Sequence, residues 1–292
     1  MNRRHFIQSL GAVASTIPLF GMQLRDLEKL AQTFSASEKM PVMFVGHGSP
    51  MNAIEDNKFS QGWRVAAKNL QPQVILCISA HWESRGTFLT YNKKPKTIHD
   101  FGGFPQALFD VQYPAPGSRA TADLIKEEIS EPQIHLTEEW GLDHGTWSVL
   151  RQMFPNADIP VLQMSLDRGL SPQKMYELGQ RLSFLRERGV LILGSGNIVH
   201  NLGMIKWGDD PDPYDWALSF DEKVKKLIDQ REHGSLINFR DLGTDAKLSI
   251  PTPEHYLPML YILGLQEKQE EVYYFNESMA FGSGSMRSFL IT

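Results

Sequence analysis

Residues 190–200 read Val190-Leu191-Ile192-Leu193-Gly194-Ser195-Gly196-Asn197-Ile198-Val199-His200. Four large apolar side chains in a row, closed by Gly-Ser-Gly, read as a strand covered on both faces, since an unbroken apolar run leaves no wet face to alternate with. Working outward, Met43-Phe44-Val45, Val74-Ile75-Leu76-Cys77-Ile78 and Val161-Leu162-Gln163-Met164 have the same character. Between these runs, residues 119–130, 145–153 and 172–188 carry helical patterns, the last opened by Ser171-Pro172 as N-cap and first helical residue. Strands alternating with helices predict an α/β fold, a single domain with a central mostly parallel or mixed sheet flanked by helices. In such a sheet, ligands collect outside the carboxyl ends of the strands.

The bulk properties are those of an ordinary globular chain. The 292 residues are 41% hydrophobic and 22% charged, which excludes disordered and collagen-like classes. Lys+Arg 29 against Asp+Glu 34 gives −5, so the chain offers no general grip on phosphate backbones and nucleic acid is not an expected partner. No apolar stretch reaches the roughly 18 residues of a transmembrane helix. The single cysteine, Cys77, lies in an apolar run and carries little functional weight. Residues 1–38 read separately: Arg3-Arg4 before a short apolar segment resembles a twin-arginine export leader, or else forms a linker. A functional leader would make the protein periplasmic; without one it would be cytoplasmic. Residues 39–292 form the expected catalytic domain, which leaves room for a homo-oligomer. The Pro- and Gly-rich stretch from Lys93 to Gly117 is long for a connector and is expected to form a lid or site wall.

Nine histidines carry most of the remaining information. Three follow predicted strands: His47 in Val45-Gly46-His47-Gly48-Ser49-Pro50, His81 in Ile78-Ser79-Ala80-His81-Trp82, and His200 one turn beyond Gly196. A lone histidine is usually structural, but three at equivalent topological places point to a shared site. His255, in Pro251-Thr252-Pro253-Glu254-His255-Tyr256-Leu257-Pro258, is expected near a helix N-terminus opened by Thr252-Pro253, where the dipole favours the neutral ring that a metal needs. His99-Asp100-Phe101-Gly102-Gly103-Phe104-Pro105 and Trp140-Gly141-Leu142-Asp143-His144-Gly145-Thr146-Trp147 set histidine among glycine and aromatics, either as a flat slot with a polar edge or as tight turns stapled to the core. No H-E-x-x-H, paired C-x-x-C, G-x-S-x-G or phosphate loop is present. The pattern fits an imidazole-rich metal site assembled from distant loops, suited to zinc, iron or copper.

Gly46-His47-Gly48-Ser49-Pro50-Met51-Asn52, Ser79-Ala80-His81-Trp82, the His99–Pro105 motif, Gly196-Asn197-Ile198-Val199-His200-Asn201 and the Pro251–Pro258 motif occur in this order. Together they resemble the DOPA 4,5-dioxygenase branch of the class III extradiol ring-cleavage dioxygenases, related to the catalytic subunit of protocatechuate 4,5-dioxygenase. The resemblance covers about residues 40–292. It implies an enzyme that opens a catechol such as DOPA beside its hydroxyls with O2, giving a muconic semialdehyde. It further implies His47, His81 and His255 as metal ligands, with His200 a fourth ligand or an acid/base. His200 is the first choice and His144 the second for proton transfer, while His99, Phe101, Phe104 and Trp147 would form the substrate slot. Better-known members hold Fe(II) with two histidines and a carboxylate; here a histidine stands at the third position with Glu254 beside it. One divalent metal, Zn(II) or Fe(II), is therefore expected, with Fe(II) required for oxygenase turnover because zinc is redox-inert. The alternatives are a zinc-dependent hydrolase and a non-enzymatic metal-binding protein on the same fold.

Overall fold

The computed structural model describes residues 39–208 and 211–292. The leader or linker expected over residues 1–38 lies outside the described residues. In chain order the elements are β1 (Val42–Gly46), α1 (Lys58–Ala67), β2 (Val74–Ser84), β3 (Thr87–Thr90), α2 (Gln106–Phe109), α3 (Arg119–Glu128), β4 (Ile134–Thr137) and α4 (His144–Met153). There follow β5 (Val161–Asp167), α5 (Pro172–Arg181), β6 (Val190–Gly196), α6 (Asp215–Asp229), α7 (His233–Ile237), α8 (Thr244–Ser249) and α9 (Leu257–Gly264). The chain closes with β7 (Val272–Phe275), β8 (Met279–Ala280), β9 (Gly284–Ser285) and β10 (Ser288–Ile291).

Eight strands form one mixed sheet in the order β4-β3-β5-β2-β6-β1-β10-β7. Its centre is parallel, with β2 between β5 and β6 and with β1 beside β6. The antiparallel pairs are β1–β10, β10–β7 and β3–β5. β1, β5 and β6 are buried along their whole length. Their side chains alternate between two apolar cores, which is why the runs show no polar alternation. Val42, Phe44, Leu76 and Ile192 pack on one face with Leu178, Val224 and Leu260 of α5, α6 and α9. Met43, Val45, Cys77 and Leu193 pack on the other with Trp63 of α1 and Trp147 and Leu150 of α4. Burial pushes the Cys77 thiol well above its ordinary range, consistent with a core residue.

Three expectations are corrected. β2 continues through His81 to Ser84, with a register shift against β5 between Ile78 and Glu83, so His81 lies in a bulged strand end rather than a loop. The 172–188 helix is two pieces, α5 and a 3₁₀ segment over Ser183–Arg188 that ends at Gly189 in the left-handed region. Thr252-Pro253 does not open a helix: residues 251–256 form turns and α9 begins at Leu257, after His255. No described helix is long and apolar enough to cross a membrane.

Candidate metal centre

β6 ends in Gly196, which decides where His255 sits. A Cβ there would lie 2.1 Å from the His255 carbonyl oxygen; with none, the 251–256 turn crosses the strand end and Asn197 N–H donates to His255 O at 2.8 Å. β1 ends alongside, its His47 N–H donating to Gly196 O at 3.0 Å. Gly48, with φ 59° in the left-handed region that favours glycine, then turns the chain away beside the Met286 side chain. The bulge in β2 re-aims His81 toward the same point. The rings of His47, His81 and His255 form a nearly equilateral triangle, with centroids 5.0, 5.0 and 5.2 Å apart.

Hydrogen bonding assigns the tautomers. The Ser195 hydroxyl donates to Gly145 O at 2.6 Å, so its oxygen accepts from His47 Nδ1–H at 3.0 Å. His81 Nδ1 faces Asp100 Oδ2 at 3.3 Å, and His255 Nδ1 lies 3.0 Å from Glu254 Oε1. An oxygen at each Nδ1 leaves three Nε2 lone pairs, and those of His47 and His81 stand only 3.1 Å apart. Two facing lone pairs repel unless a cation sits between them. Two nitrogens each ~2.0–2.1 Å from one ion, at a tetrahedral angle, lie about 3.3 Å apart, close to this spacing. One donor atom from each of the three residues falls within 4.8 Å of the others. The residues therefore fit a three-imidazole metal site, with oxygen partners behind the rings of the kind that orient metal-binding histidines.

Electrostatics agree with this assignment. Burial first, then neighbouring imidazoles, hold His47 and His255 well below the ordinary histidine range. Burial and His144 lower His81 to about 3 against the opposing pull of Asp100. Neutral rings therefore come from crowding and desolvation, and not from the helix dipole expected at His255.

Two further histidines stand beside the triangle. His144, the first residue of α4, has its Nδ1 3.0 Å from Asp100 Oδ2, while its backbone N–H donates to Asp100 Oδ1 at 2.9 Å. Asp143 caps α4, accepting from Thr146 N and from Ser79 Oγ at 2.7 Å, and its carboxyl is pushed up to about 6 by burial and by Asp100. Burial works to raise Asp100 too, but His144 and His81 outweigh it and hold that carboxyl below its usual value. His200 stacks flat on His255, with centroids 3.4 Å apart and planes at 14°, and its nitrogen groups with Glu254 and His255 rather than with His47 and His81. Burial lowers it to about 4, against the opposing pull of Glu254.

A cavity of about 490 Å³ opens over these rings. His47, His81, His144, His200 and His255 form its floor, and Phe101 and Phe104 form part of its wall. The stretch from Lys93 to Gly117 is thus a site wall, supplying Asp100 through Phe104. Two expected slot residues sit one layer back. Trp147 is fully buried with its indole N–H donating to Ile98 O, and His99 bonds Val111 O while its ring packs against Phe101 and Trp147. Reading the sequence missed Asp100, Ser195 and Asn197. Asp100 sits inside the histidine–aromatic motif itself, and a carboxylate next to a histidine there was the available signal. Asn197 lines the cavity with Nδ2 tied to Ser285 O at 2.7 Å and Oδ1 buried without a partner among the described residues.

Comparison with known proteins agrees with this architecture. Residues 40–284 match the family model of the catalytic LigB subunit of aromatic ring-opening dioxygenase. The chain is 46% identical to 4,5-DOPA dioxygenase extradiol of Escherichia coli (strain K12), over 87% of this chain and 95% of that protein. It is 34% identical to the protein of the same name from Beta vulgaris, over 85% of this chain and 95% of that one. A crystal structure of an uncharacterized Escherichia coli K12 protein superposes with a TM-score of 0.77 at 41% identity, covering 87% of this chain and all of that one. On sequence and fold alike, the chain belongs to the LigB family of extradiol, aromatic ring-opening dioxygenases.

Proposed function

We propose that the protein opens the ring of a catechol, such as DOPA or a related dihydroxyphenyl compound, inserting both atoms of O2 to give a muconic semialdehyde. The observation that carries this reading is the convergence of three neutral imidazole nitrogens on the floor of an aromatic-walled cavity, with two more imidazoles beside them. His47, His81 and His255 would hold a single divalent metal. Fe(II) bound there supplies Lewis acidity toward adjacent hydroxyls and the redox capacity that dioxygen chemistry needs.

The chain's own residues do the rest. Phe101 and Phe104 hold the catechol ring by its faces and edges, and the backing layer of His99 and Trp147 keeps Phe101 in place. His144 and His200 flank the triangle where a hydroxyl proton must be taken up and later returned, and burial keeps the His200 ring neutral near pH 7. Asp100 fixes the direction in which His144 presents its ring. With both hydroxyls and the ring held, positioning supplies much of the remaining rate.

Three imidazoles are also a zinc donor set. A zinc-loaded protein would bind catechols without oxygenating them, so metal identity separates oxygenase from hydrolase. The test is O2 uptake with DOPA or caffeate after anaerobic Fe(II) loading. The expected result is O2 consumption with a yellow semialdehyde product; no such product with any catechol contradicts the proposal.

A further inference from the structure

Two arginines are buried among the described residues, and they are used differently. Arg186 precedes the amino end of β6, where its Nε donates to Met40 O at 2.8 Å and its Nη1 to Leu265 O at 3.1 Å, with Glu270 as counter-ion. Arg287 gives its side-chain donors to carboxylates: Asp221 and Glu222 of α6 and Glu277 between β7 and β8, with Nε donating to Asp221 Oδ2 at 2.7 Å. Burying such a pair costs about as much solvation as its attraction returns, so it adds little stability that apolar side chains would not. What it adds is fixed geometry.

That geometry is handed on through Ser285. Its hydroxyl donates to Asp221 Oδ1 at 2.5 Å and accepts the Arg287 N–H at 3.2 Å. Its main chain faces the other way: Ser285 N–H donates to Val199 O at 2.9 Å, and Ser285 O accepts from Asn197 Nδ2 at 2.7 Å. Asn201 N–H donates to Ser283 O at 3.1 Å, and His200 bridges Gly284 between these bonds. Strand β9 is only Gly284–Ser285, too short to hold its own place.

His200 depends on that support more than its neighbours do. The rings of His47, His81, His144 and His255 each have an oxygen facing Nδ1. The His200 ring has no hydrogen-bonded partner among the described residues and lies on the face of His255, 3.4 Å away. Its place is therefore set by its main chain, with His200 N–H donating to Ser249 O at 2.9 Å on one side and residues 283–285 on the other. A displacement of about 1 Å in a group that must meet a substrate proton costs up to about 10²-fold in rate.

We propose that the buried Asp221–Arg287 pair positions His200. Acting through Ser285, it holds residues 283–285 against residues 199–201 and so keeps the His200 ring on His255 at the cavity floor. Asp221, Ser285 and Arg287 do not line the cavity, so they are positioning residues that act through His200. The proposal rests on the ring-opening reading above, in which His200 moves the hydroxyl proton.

The test measures kcat, KM and bound iron of the Fe(II)-loaded full chain with DOPA for Asp221→Asn and Ser285→Ala, each alone and combined with His200→Phe. Asp221→Asn leaves Arg287 its other two carboxylates, and Ser285→Ala leaves the ion pair and the main-chain bonds, so both keep the fold. Glu270→Gln is the control, weakening the buried pair at the other end of β6. Expected for each of the first two is a loss of about tenfold in kcat, with KM changed by less than about twofold and iron retained. In the His200→Phe background the same substitutions change kcat by less than about twofold, because a residue that acts through His200 has nothing left to act on. Glu270→Gln lowers Tm and leaves kcat unchanged. Equal kcat losses with and without His200, an equal kcat loss in Glu270→Gln, or kcat unchanged in both Asp221→Asn and Ser285→Ala overturns the proposal. If the wild type opens no catechol, the ring-opening reading fails separately. Crystal structures of wild type and Asp221→Asn then decide the positioning role: a His200 ring displaced from His255 in the variant supports it, and an unchanged stack overturns it.

Discussion

The floor and the mouth of the cavity are made by opposite means. At the floor, each ring of the His47–His81–His255 triangle has an oxygen behind Nδ1, from Ser195, Asp100 or Glu254, and is carried on or beside a strand of the central sheet. At the mouth, Leu202, Trp207 and Phe281 stand in solvent on connecting segments. The floor is thus preorganised by buried polar contacts, as chemistry requires, while the mouth is apolar and open to solvent. Disturbing the floor should therefore abolish the reaction, whereas single changes at the solvent-exposed mouth should leave the metal and its chemistry in place.

The largest effect is expected from His47→Ala and His81→Ala. Each should lose stoichiometric Fe(II), measured by metal analysis after gel filtration, while circular dichroism stays that of a folded protein. Full metal occupancy in both would refute the ligand assignment. Next come His200→Phe and His144→Phe, expected to lower turnover by about 10²–10⁴-fold, the span of general acid–base contributions, with less effect on metal content. Turnover unchanged in both would remove proton transfer from these rings. Asp100→Asn keeps the shape but removes the charge facing His81 and His144. About a 10–100-fold loss of metal affinity is expected by chelator competition, as for other groups behind metal-binding histidines, and an unchanged affinity would mean that Asp100 does not orient His81.

The smallest effect is on the stability of the metal-free protein. His200 is lowered from 6.5 to about 4 and His81 to about 3, with His47 and His255 also lowered, so the unfolded chain binds more protons than the folded one below pH 6.5. Stability should therefore fall as pH drops from about 6.5 toward 4. Asp143, pushed up to about 6, works in the opposite direction, but four histidines outweigh it. Thermal melts of metal-free protein at pH 7 and pH 5 should show the lower Tm at pH 5; equal or higher Tm at pH 5 contradicts the neutral-ring assignment.

The central strands and the helices α3, α4 and α5 were legible because their signals are local: an apolar run, a Ser-Pro start, a 3.6-residue period; α1, α2 and α6–α8 were not read from the sequence. β3, β4 and β7–β10 were not, since these short strands take their identity from a neighbour's edge rather than from their own pattern. The histidines at strand ends could be found from topology, because parallel strands bring their carboxyl ends together. The correction at His255 shows the limit of that reasoning. Thr252-Pro253 has the chemistry of a helix start, yet the backbone is drawn into turns across Gly196, a tertiary contact that residue order does not show. The placement of His99 and Trp147 behind Phe101 teaches the same lesson, since an aromatic motif does not reveal which ring faces the cavity.

The most direct test of the central claim is anaerobic titration of the full chain with Fe(II), followed by simultaneous measurement of bound iron, O2 uptake and semialdehyde formation with a catechol. Expected are a single iron per chain and equimolar O2 consumption and ring-opened product, all lost together in the His47→Ala/His81→Ala double variant. Ring opening by that double variant, or iron bound at full occupancy without any ring-opened product from the wild type, would contradict it.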